Sequence, residues 1–317
     1  MIDHNEHGRL MRYHGFLLGG RERIERYARA IDAVVRPGDR VIDLGAGTGV
    51  FALLALRAGA GEVVAIEDTP AIALAQEFAR ANGLDERLTL VPHPSRRVDF
   101  PERARVLVTD TYASLGRQDG LLGSVVDARD RLLDPGGEMV PRAIALHLAP
   151  LEAAGRHAAL QAPWAADLAG LDFSAGRRYA LNVVQQAELA AAELLGPAAA
   201  PIRLDLASVQ SSAAEGGCEL AVERDGTLHG LAGWFSAQLA PGIEISNAPG
   251  QATTPYAQAW LPLAAPTPVS AGDRVRVHIE TRDGATWRWS AAVRGADGTP
   301  RVRFAHATVD SFPLLRE

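Results

Sequence analysis

The sequence predicts an α/β domain with a parallel sheet, followed by a mostly antiparallel β domain. Between residues 24 and 110, stretches with apolar residues at helical spacing alternate with short apolar runs, a pattern typical of a parallel sheet covered by helices. After Asp134-Pro135-Gly136-Gly137, segments such as RVRVHIE and WRWSAAV alternate apolar and polar residues, as antiparallel strands do. A length of 317 residues suits two domains, so we predict one over 1–140 and another over 141–317.

Proline and glycine residues separate several predicted elements of the first domain. The first helix ends before Pro37-Gly38-Asp39, and glycines follow the later helices. In chain order, we predict a helix over Ile24–Val35, a strand over Arg40–Leu44, a GAGTG turn, an apolar helix over VFALLALRAGA, a strand over Glu62–Glu67, a helix over Pro70–Asn82, and strands over Leu88–Val91 and Val106–Asp110.

An alanine-rich segment interrupts the second domain between about residues 152 and 200. It includes QQAELAAAELLG, whose alanine, leucine and glutamate residues favour helix. We therefore predict a helical insertion within an otherwise β-rich domain.

Composition and charge limit the classes of partner. The formal net charge of −6 gives no overall electrostatic reason to expect nucleic-acid binding, and it suits a cationic partner better. The single cysteine, Cys218, excludes an internal disulfide and a CxxC metal site, so no metal is predicted. Because no apolar run approaches the roughly 20 residues that cross a bilayer and the start lacks a secretion signal, we expect no membrane association and a cytoplasmic location.

The strongest motif is VIDLGAGTG, followed by an apolar helix and an acidic residue at the end of the next strand. Gly45, Gly47 and Gly49 allow backbone amides to approach a ligand closely, next to a helix amino terminus that favours a carboxylate. Asp43 can hold an amino group or order the loop, and Glu67 can accept hydrogen bonds from two ribose hydroxyls.

Three interpretations of this motif differ in what the glycines bind. The spelling D-x-G-x-G-x-G favours S-adenosylmethionine, because dinucleotide sites usually show G-x-G-x-x-G and this chain has Val50 where that third glycine would stand. A nicotinamide site and a purely structural turn are the alternatives. The motif predicts a class I S-adenosylmethionine-dependent methyltransferase.

The chain resembles the protein arginine methyltransferase family over nearly its whole length. VIDLGAGTGVFALLALRAGAGEVVAIE is similar to the family's first two motifs, and DARDRLLDPGGEMVPRAIALHL to the segment entering its barrel. PWAADLAGLDFSAGRRYAL resembles the family's dimerisation arm, and HGLAGWFSAQL a barrel strand. The resemblance implies a Rossmann-like cofactor domain, a β-barrel domain with an inserted helical dimerisation arm over about 152–200, and a homodimer.

The same resemblance suggests further cofactor residues. Arg23 stands nine residues after His14 in an H-x-x-L-L segment, where the family's arginine meets the methionine carboxylate; a solvated helix charge is the alternative. Ser95 and Arg96 in PHPSRR stand where the family usually has a glutamate near the adenine, so backbone groups can replace that contact.

Two aspartates occupy the positions of the family's paired substrate glutamates. Counting back from ARDRLL places Asp110 and Asp119 there. Paired carboxylates can bind the planar fork of a guanidinium and aim one nitrogen at a methyl donor. Each aspartate withdraws its carboxylate by about 1.5 Å relative to glutamate. The alternatives are that Asp110 only ends a strand and that Asp119 caps a helix near Gly120.

The family's Thr-His-Trp barrel loop has lost its histidine. Its counterpart lies within TTPYAQAWLPL, either at Thr254-Pro255-Tyr256 or at Ala257-Gln258-Ala259. His229, His278 and His306 are interpreted as ordinary strand histidines, since nothing in their spacing marks a base.

Three functions follow from these residues. The first is N-methylation of a guanidino or other cationic group in a protein, a free amino acid or a small metabolite. The second is methylation of a neutral hydroxyl or amine, because the acidic loop and the barrel loop are altered. The third is a non-catalytic subunit that keeps S-adenosylmethionine as a ligand.

Overall fold

The computed structural model describes residues 4–116, 121–165, 167–282 and 284–311. In the first half the elements are α1 His4–Gly19, α2 Arg21–Val34, β1 Arg40–Leu44, α3 Val50–Arg57, β2 Glu62–Ile66, α4 Ile72–Ala81, β3 Leu88–Val91, β4 Ala104–Thr109, α5 Leu121–Leu132 and β5 Leu133–Val140.

Strands β1 to β5 form one parallel sheet in the order β3-β2-β1-β4-β5. The chain moves outward from β1 in one direction through β2 and β3, and then returns to β4 on the other side. Ligands of open parallel sheets bind where the order reverses, at the carboxyl ends of the strands. The ends of β1 and β4 therefore define the expected site.

The predicted strands of this sheet are confirmed, with small differences at their ends. β1 and β3 have the predicted bounds, whereas β2 and β4 each stop one residue earlier, before Glu67 and Asp110. Val41, Val63 and Val106 are fully buried, because helices cover both faces of the sheet. Both acidic residues thus stand at the first position beyond a buried strand.

The second half is built mainly from antiparallel strands. Its elements are β6 Ala143–Leu151, α6 Ala154–Gln161, β7 Asp167–Leu168, β8 Leu171–Asp172, α7 Arg177–Ala180, β9 Gln185–Ala187, β10 Ala199–Asp205, β11 Ala214–Ala221, β12 Gly226–Ala240, β13 Ile243–Ser246, β14 Gln258–Val269, β15 Arg274–Thr281, β16 Trp287–Arg294 and β17 Pro300–Ala307.

Two sheets of this half enclose a common core. One has the order β10-β6-β12-β14-β9 with β13 beside β12, and the other has the order β11-β15-β16-β17. Alternate residues of β15 and β16 point inward, so that Ile279 and Trp289 pack with Leu148 and Leu261 of the first sheet. The period-two pattern that predicted antiparallel strands is confirmed.

The prediction of helix over QQAELAAAELLG is wrong. Gln185–Ala187 form β9, which pairs with β14, and Ala191–Glu193 form a single 3-10 turn. Sheet pairing and the burial of Leu189 and Leu195 override the helical propensity of the alanines. Helix within the insertion is found at α6 and α7 instead. No helix in the described ranges is long and apolar enough to cross a bilayer.

Asn247 joins the two halves of the chain. Its side chain is fully buried and accepts the Phe235 backbone N–H at 2.8 Å. Its Nδ2 donates to the carbonyls of Ser114, in the loop after β4, at 3.0 Å and of Ala257, before β14, at 2.8 Å. This side-chain amide fixes the loop after β4, which begins at Asp110, against the barrel.

We expect Asn247→Ala to lower the free energy of unfolding by about 3 kcal/mol, because it leaves one backbone N–H and two carbonyls buried without partners. Urea denaturation measures the change. Asn82→Ala, at an exposed asparagine whose amide contacts only the carbonyl of Phe78, is the control and should cost under about 1 kcal/mol. Equal losses in the two variants would contradict the assigned role.

Candidate active site

The glycine loop after β1 is held by the end of β2. The amides of Gly45 and Ala46 donate to the Ile66 carbonyl at 2.9 and 3.0 Å. Glu67 then accepts the Gly47 N–H on Oε2 and the Thr69 N–H on Oε1, both at 2.9 Å. Each carboxylate oxygen has a second lone pair, so Glu67 can order the loop and still accept hydroxyl hydrogen bonds.

Gly47 is needed for packing as well as for ligand approach. Its φ is +53°, and a Cβ built on it would lie 2.8 Å from His14 Cε1. The ring of His14 on α1 therefore covers the loop. Gly45 and Gly49 also have positive φ, and a Cβ on either would come within 2.7 Å of a neighbouring side chain. Glycine is therefore required at Gly47 and Gly49 because α1 and α4 pack closely against the loop.

Asp43 is buried, and only one of its two carboxylate oxygens has a hydrogen-bond partner. Its Oδ2 accepts the Ala52 N–H in the first turn of α3 at 2.9 Å, whereas Oδ1 has no partner. Burial raises the pKa of Asp43 to about 7. This contact joins the end of β1 to the first turn of α3, directly after the glycine loop. The unpartnered oxygen suits the ammonium group of S-adenosylmethionine, which would both satisfy Oδ1 and favour the carboxylate.

One cleft brings four of the predicted cofactor residues together. It has a volume of about 390 Å³, and its lining includes Gly45, Glu67, Ser95 and Arg96. Ser95 is buried, and Arg96 extends over Gly123 of α5. The residues present therefore fit an adenosine, because the lining holds a carboxylate for the ribose hydroxyls and part of the PHPSRR loop.

Arg23 lies inside the molecule, so the solvated-charge interpretation is wrong. Its side chain is 2% exposed and stacks over the ring of Phe51, with 5.4 Å from Cζ to the ring centroid. Nη2 donates to the Leu17 carbonyl at 2.8 Å, and Nη1 forms an ion pair with Asp110 Oδ2. Nε has no partner.

Asp110 follows β4 directly and points into the same interior. Its side chain is 6% exposed, and its Oδ1 is buried without a partner. The hydroxyl of Tyr256 lies 3.5 Å from Oδ2, at the long limit of a hydrogen bond. The prediction for Asp119 concerns a residue outside the described ranges.

Sequence reasoning missed the tyrosines that surround this ion pair. Tyr27 on α2 donates to the Thr109 carbonyl at 2.7 Å and lies 2.9 Å from the hydroxyl of Tyr112. Tyr112 stacks on Phe235 of the barrel and meets Tyr256 edge to face. Burial raises the pKa of all three phenols, so they act as neutral donors.

Of the two barrel-loop registers, Thr254-Pro255-Tyr256 is the one that faces Asp110. Gln258 of the other register points elsewhere, since it donates to the Asn247 carbonyl and accepts the Leu189 N–H. A neutral phenol therefore stands near the acid where the family has an imidazole-bearing loop. The only signal in the sequence was the resemblance of TTPY to that loop.

The barrel histidines make contacts within the barrel half. His306 stacks on Trp289, and burial lowers its pKa to about 4. His229 contacts the backbone of Ala153 and Thr227. His278 is on the exposed face of β15, beside Glu280. These contacts agree with ordinary strand histidines.

Comparisons with known proteins match both halves. Residues 27–115 match the family model for ribosomal protein L11 methyltransferase, and residues 143–293 match the arginine methyltransferase oligomerization subdomain. The chain is 31% identical over 284 residues to an arginine N(omega)-methyltransferase of Streptomyces achromogenes subsp. streptozoticus, covering 86% of this chain and 76% of that protein. The chain belongs to the arginine methyltransferase family. The predicted S-adenosylmethionine-dependent methyltransferase is thereby confirmed.

Two further relatives support the family and its fold. The chain is 29% identical to protein arginine N-methyltransferase 6 of Xenopus laevis, with 71% of this chain and 69% of that protein covered. The solved Trypanosoma brucei PRMT1 enzyme-prozyme heterotetrameric complex with AdoHcy has a chain that superimposes with a TM-score of 0.84 at 20% identity, covering 93% of this chain and 97% of that one. The predicted Rossmann-like domain followed by a β-barrel is confirmed.

The raised pKa of Asp43 predicts a pH dependence of stability. Between its ordinary value of 3.8 and about 7, the folded protein keeps a proton that the unfolded chain has lost. The free energy of unfolding should therefore fall with rising pH, by at most about 1.4 kcal/mol per pH unit for this group. In cofactor-free protein, the free energy of unfolding of wild type should therefore fall relative to that of Asp43→Asn as the pH rises from 4 to 7.

Urea denaturation of both proteins at several pH values measures this difference in the free energy of unfolding. Asp32→Asn, at an exposed aspartate on α2, is the control and should follow the wild-type slope. A pH-independent difference between wild type and Asp43→Asn would show that the carboxyl is not buried as described.

Proposed function

We propose that the protein N-methylates a guanidino group of an arginine-like acceptor. The observation that carries this proposal is Asp110, a buried carboxylate at the carboxyl end of β4 that already holds one guanidinium, that of Arg23. The same site can accept a guanidinium from a substrate. The names of the arginine N(omega)-methyltransferase and of protein arginine N-methyltransferase 6 support this acceptor class.

The proposed cofactor contacts use polar groups at the ends of the parallel strands and on α2. Arg23 would hold the carboxylate and Asp43 Oδ1 the ammonium, while Glu67 accepts the ribose hydroxyls and the loop of Ser95 and Arg96 borders the adenine. S-adenosylmethionine supplies an electrophilic methyl group on its sulfonium. With the cofactor held at the ends of β1 and β2, the end of β4 is the neighbouring place for an acceptor.

Asp110 would act by binding and orienting the acceptor. A guanidinium stays protonated at neutral pH and presents its donors in a plane. Asp110 Oδ1, which lacks a partner, can accept one of these donors and draw positive charge away from the nitrogen that is methylated. We propose the same role for Asp119 on the resemblance alone. The neutral phenols of Tyr112 and Tyr256 limit access of water to this carboxylate.

A neutral acceptor is the second candidate, and one observation favours it. Arg23 already neutralises Asp110, so the pocket around them carries little net charge while the pair is closed. A hydroxyl or amine substrate would then meet Asp110 as a hydrogen-bond acceptor rather than as a counter-ion. Both candidates use the same cofactor site and differ in whether Asp110 must be released from Arg23.

Transfer of radiolabelled methyl from S-adenosylmethionine to free arginine, to arginine-containing peptides and to neutral hydroxyl compounds tests the proposal. We expect transfer to a guanidino compound and a fall of about a hundredfold or more in kcat/KM for Asp110→Ala, because loss of positioning by about 1 Å has that effect. Asp32→Ala, at an exposed aspartate on α2, is the control. Unchanged turnover in Asp110→Ala would refute the assigned role.

We also propose that the protein is a cytoplasmic homodimer. Trp164, Leu171 and Phe173 of the insertion are between 38% and 60% exposed, which is unusual for large apolar side chains on one short segment. The match of residues 143–293 to an oligomerization subdomain supports association through the same part of the chain. A second copy would cover these side chains with an isologous contact.

A double variant, Leu171→Asp with Phe173→Asp, should convert a dimer to a monomer at micromolar concentration, because it places two charges in an apolar contact. Light scattering reports the mass. Val309→Asp is the matched control, since Val309 is 51% exposed and lies outside the insertion. A wild-type monomer, or a double variant that stays dimeric, would contradict the proposed surface.

A further inference from the structure

The Arg23–Asp110 ion pair joins two residues that serve different ligands. Resting on the proposed function, in which Arg23 holds the cofactor and Asp110 the acceptor, we propose that the pair couples the two binding events. The cofactor carboxylate takes Arg23 away from Asp110, and Asp110 thereby becomes available to a cationic acceptor. Binding of either ligand then strengthens binding of the other.

The atoms of the pair explain why the closed state opposes both ligands. Arg23 has Nη1 on Asp110 and Nη2 on the Leu17 carbonyl, and Nε is the guanidinium nitrogen without a partner. Asp110 has Oδ2 on Arg23 and only Oδ1 uncommitted. While the pair is closed, each charge already has a counter-ion, so the cofactor carboxylate and a cationic acceptor must each compete with it.

Burial makes the coupling strong. Arg23 and Asp110 are 2% and 6% exposed, so neither charge can turn to water when its partner leaves. Removing one member of a buried ion pair leaves an uncompensated charge, which is strongly unfavourable. The first ligand to bind must overcome this loss, whereas the second finds a charge without a partner. By linkage, the factor by which each ligand improves the other is the same.

The surroundings allow Asp110 to stay in place after Arg23 leaves. The Tyr256 hydroxyl, 3.5 Å from Oδ2, is a neutral donor on the barrel and does not depend on Arg23. Arg23 itself lies near the start of α2, three residues after Gly20, and Gly20 packs against Pro255 of the same barrel loop. The acid is thus supported by the barrel, and the arginine by a helix that starts at a glycine.

The decisive measurement is the affinity for S-adenosylhomocysteine, which carries the carboxylate but no positive sulfur. In Asp110→Asn, Arg23 no longer has a competing carboxylate, so S-adenosylhomocysteine should bind about tenfold more tightly than in wild type, within the usual range for coupled sites. 5′-Methylthioadenosine has the same adenosine and sulfur without the amino acid. Its affinity should stay within about twofold, because it does not need Arg23.

Isothermal titration calorimetry gives both dissociation constants. Unchanged or weaker binding of S-adenosylhomocysteine to Asp110→Asn would overturn the proposal, since Arg23 would then serve both anions at once or neither. A loss of affinity by the same factor for S-adenosylhomocysteine and 5′-methylthioadenosine would also overturn it, because it would show a structural role for Asp110. Asp32→Asn, at an exposed aspartate on α2, is the matched control: it removes a carboxylate outside the site, and the ratio of the two affinities should match wild type.

A second variant covers the case in which Asp110→Asn does not fold. Arg23→Gln should weaken S-adenosylhomocysteine at least tenfold and leave 5′-methylthioadenosine within about twofold, whereas no selective loss would refute the assignment of Arg23. These binding tests are independent of the acceptor. If Asp110→Asn binds S-adenosylhomocysteine tenfold more tightly but wild type transfers no methyl to guanidino compounds, only the proposed function is rejected. If wild type transfers methyl to a guanidino compound but the affinity of Asp110→Asn for S-adenosylhomocysteine is unchanged, only the coupling is rejected.

Discussion

The structure depends on burying three charged side chains at one edge of the parallel sheet. Asp43, Arg23 and Asp110 are almost fully enclosed, and a buried charge is tolerated only with a compensating partner. Asp43 is placed at the first turn of α3, where the helix amides favour a carboxylate, and its proton affinity rises nonetheless. Arg23 and Asp110 compensate each other. The positions of α2, α3 and the end of β4 follow from these contacts.

The barrel contributes to the same site through polar and aromatic contacts. Asn247 fixes the backbone of Ser114 to that of Ala257, and Phe235 stacks under Tyr112. The loop after β4 is thus held from the barrel side, although its acidic residue comes from the sheet. The barrel therefore contributes contacts to the loop that follows Asp110 and, through Tyr256, to Asp110 itself.

The sequence was most informative where a local rule decides the structure. The glycine loop could be predicted because positive φ and close packing restrict Gly45, Gly47 and Gly49 to one residue type. Glu67 could be predicted as the acid directly after the second strand, and strand alternation predicted the barrel. The tyrosines could not be predicted, since Tyr27 and Tyr256 are 229 residues apart. Tyr27 contacts the Thr109 carbonyl and Tyr256 contacts Asp110 only in the folded protein. The same holds for Gln185–Ala187, whose place in a sheet is set by β14.

The unpartnered atoms at this edge support the proposed ligand site. Six buried side-chain polar atoms lack a partner in the described ranges, and three of them are Arg23 Nε, Asp43 Oδ1 and Asp110 Oδ1. An unsatisfied buried polar atom costs about 1–3 kcal/mol, so such clustering is unfavourable for stability alone. An aspartate that merely ended β4 could turn to solvent at no cost. Asp110 instead keeps one oxygen on Arg23 and one free, an arrangement that supports the proposal that ligands open the pair.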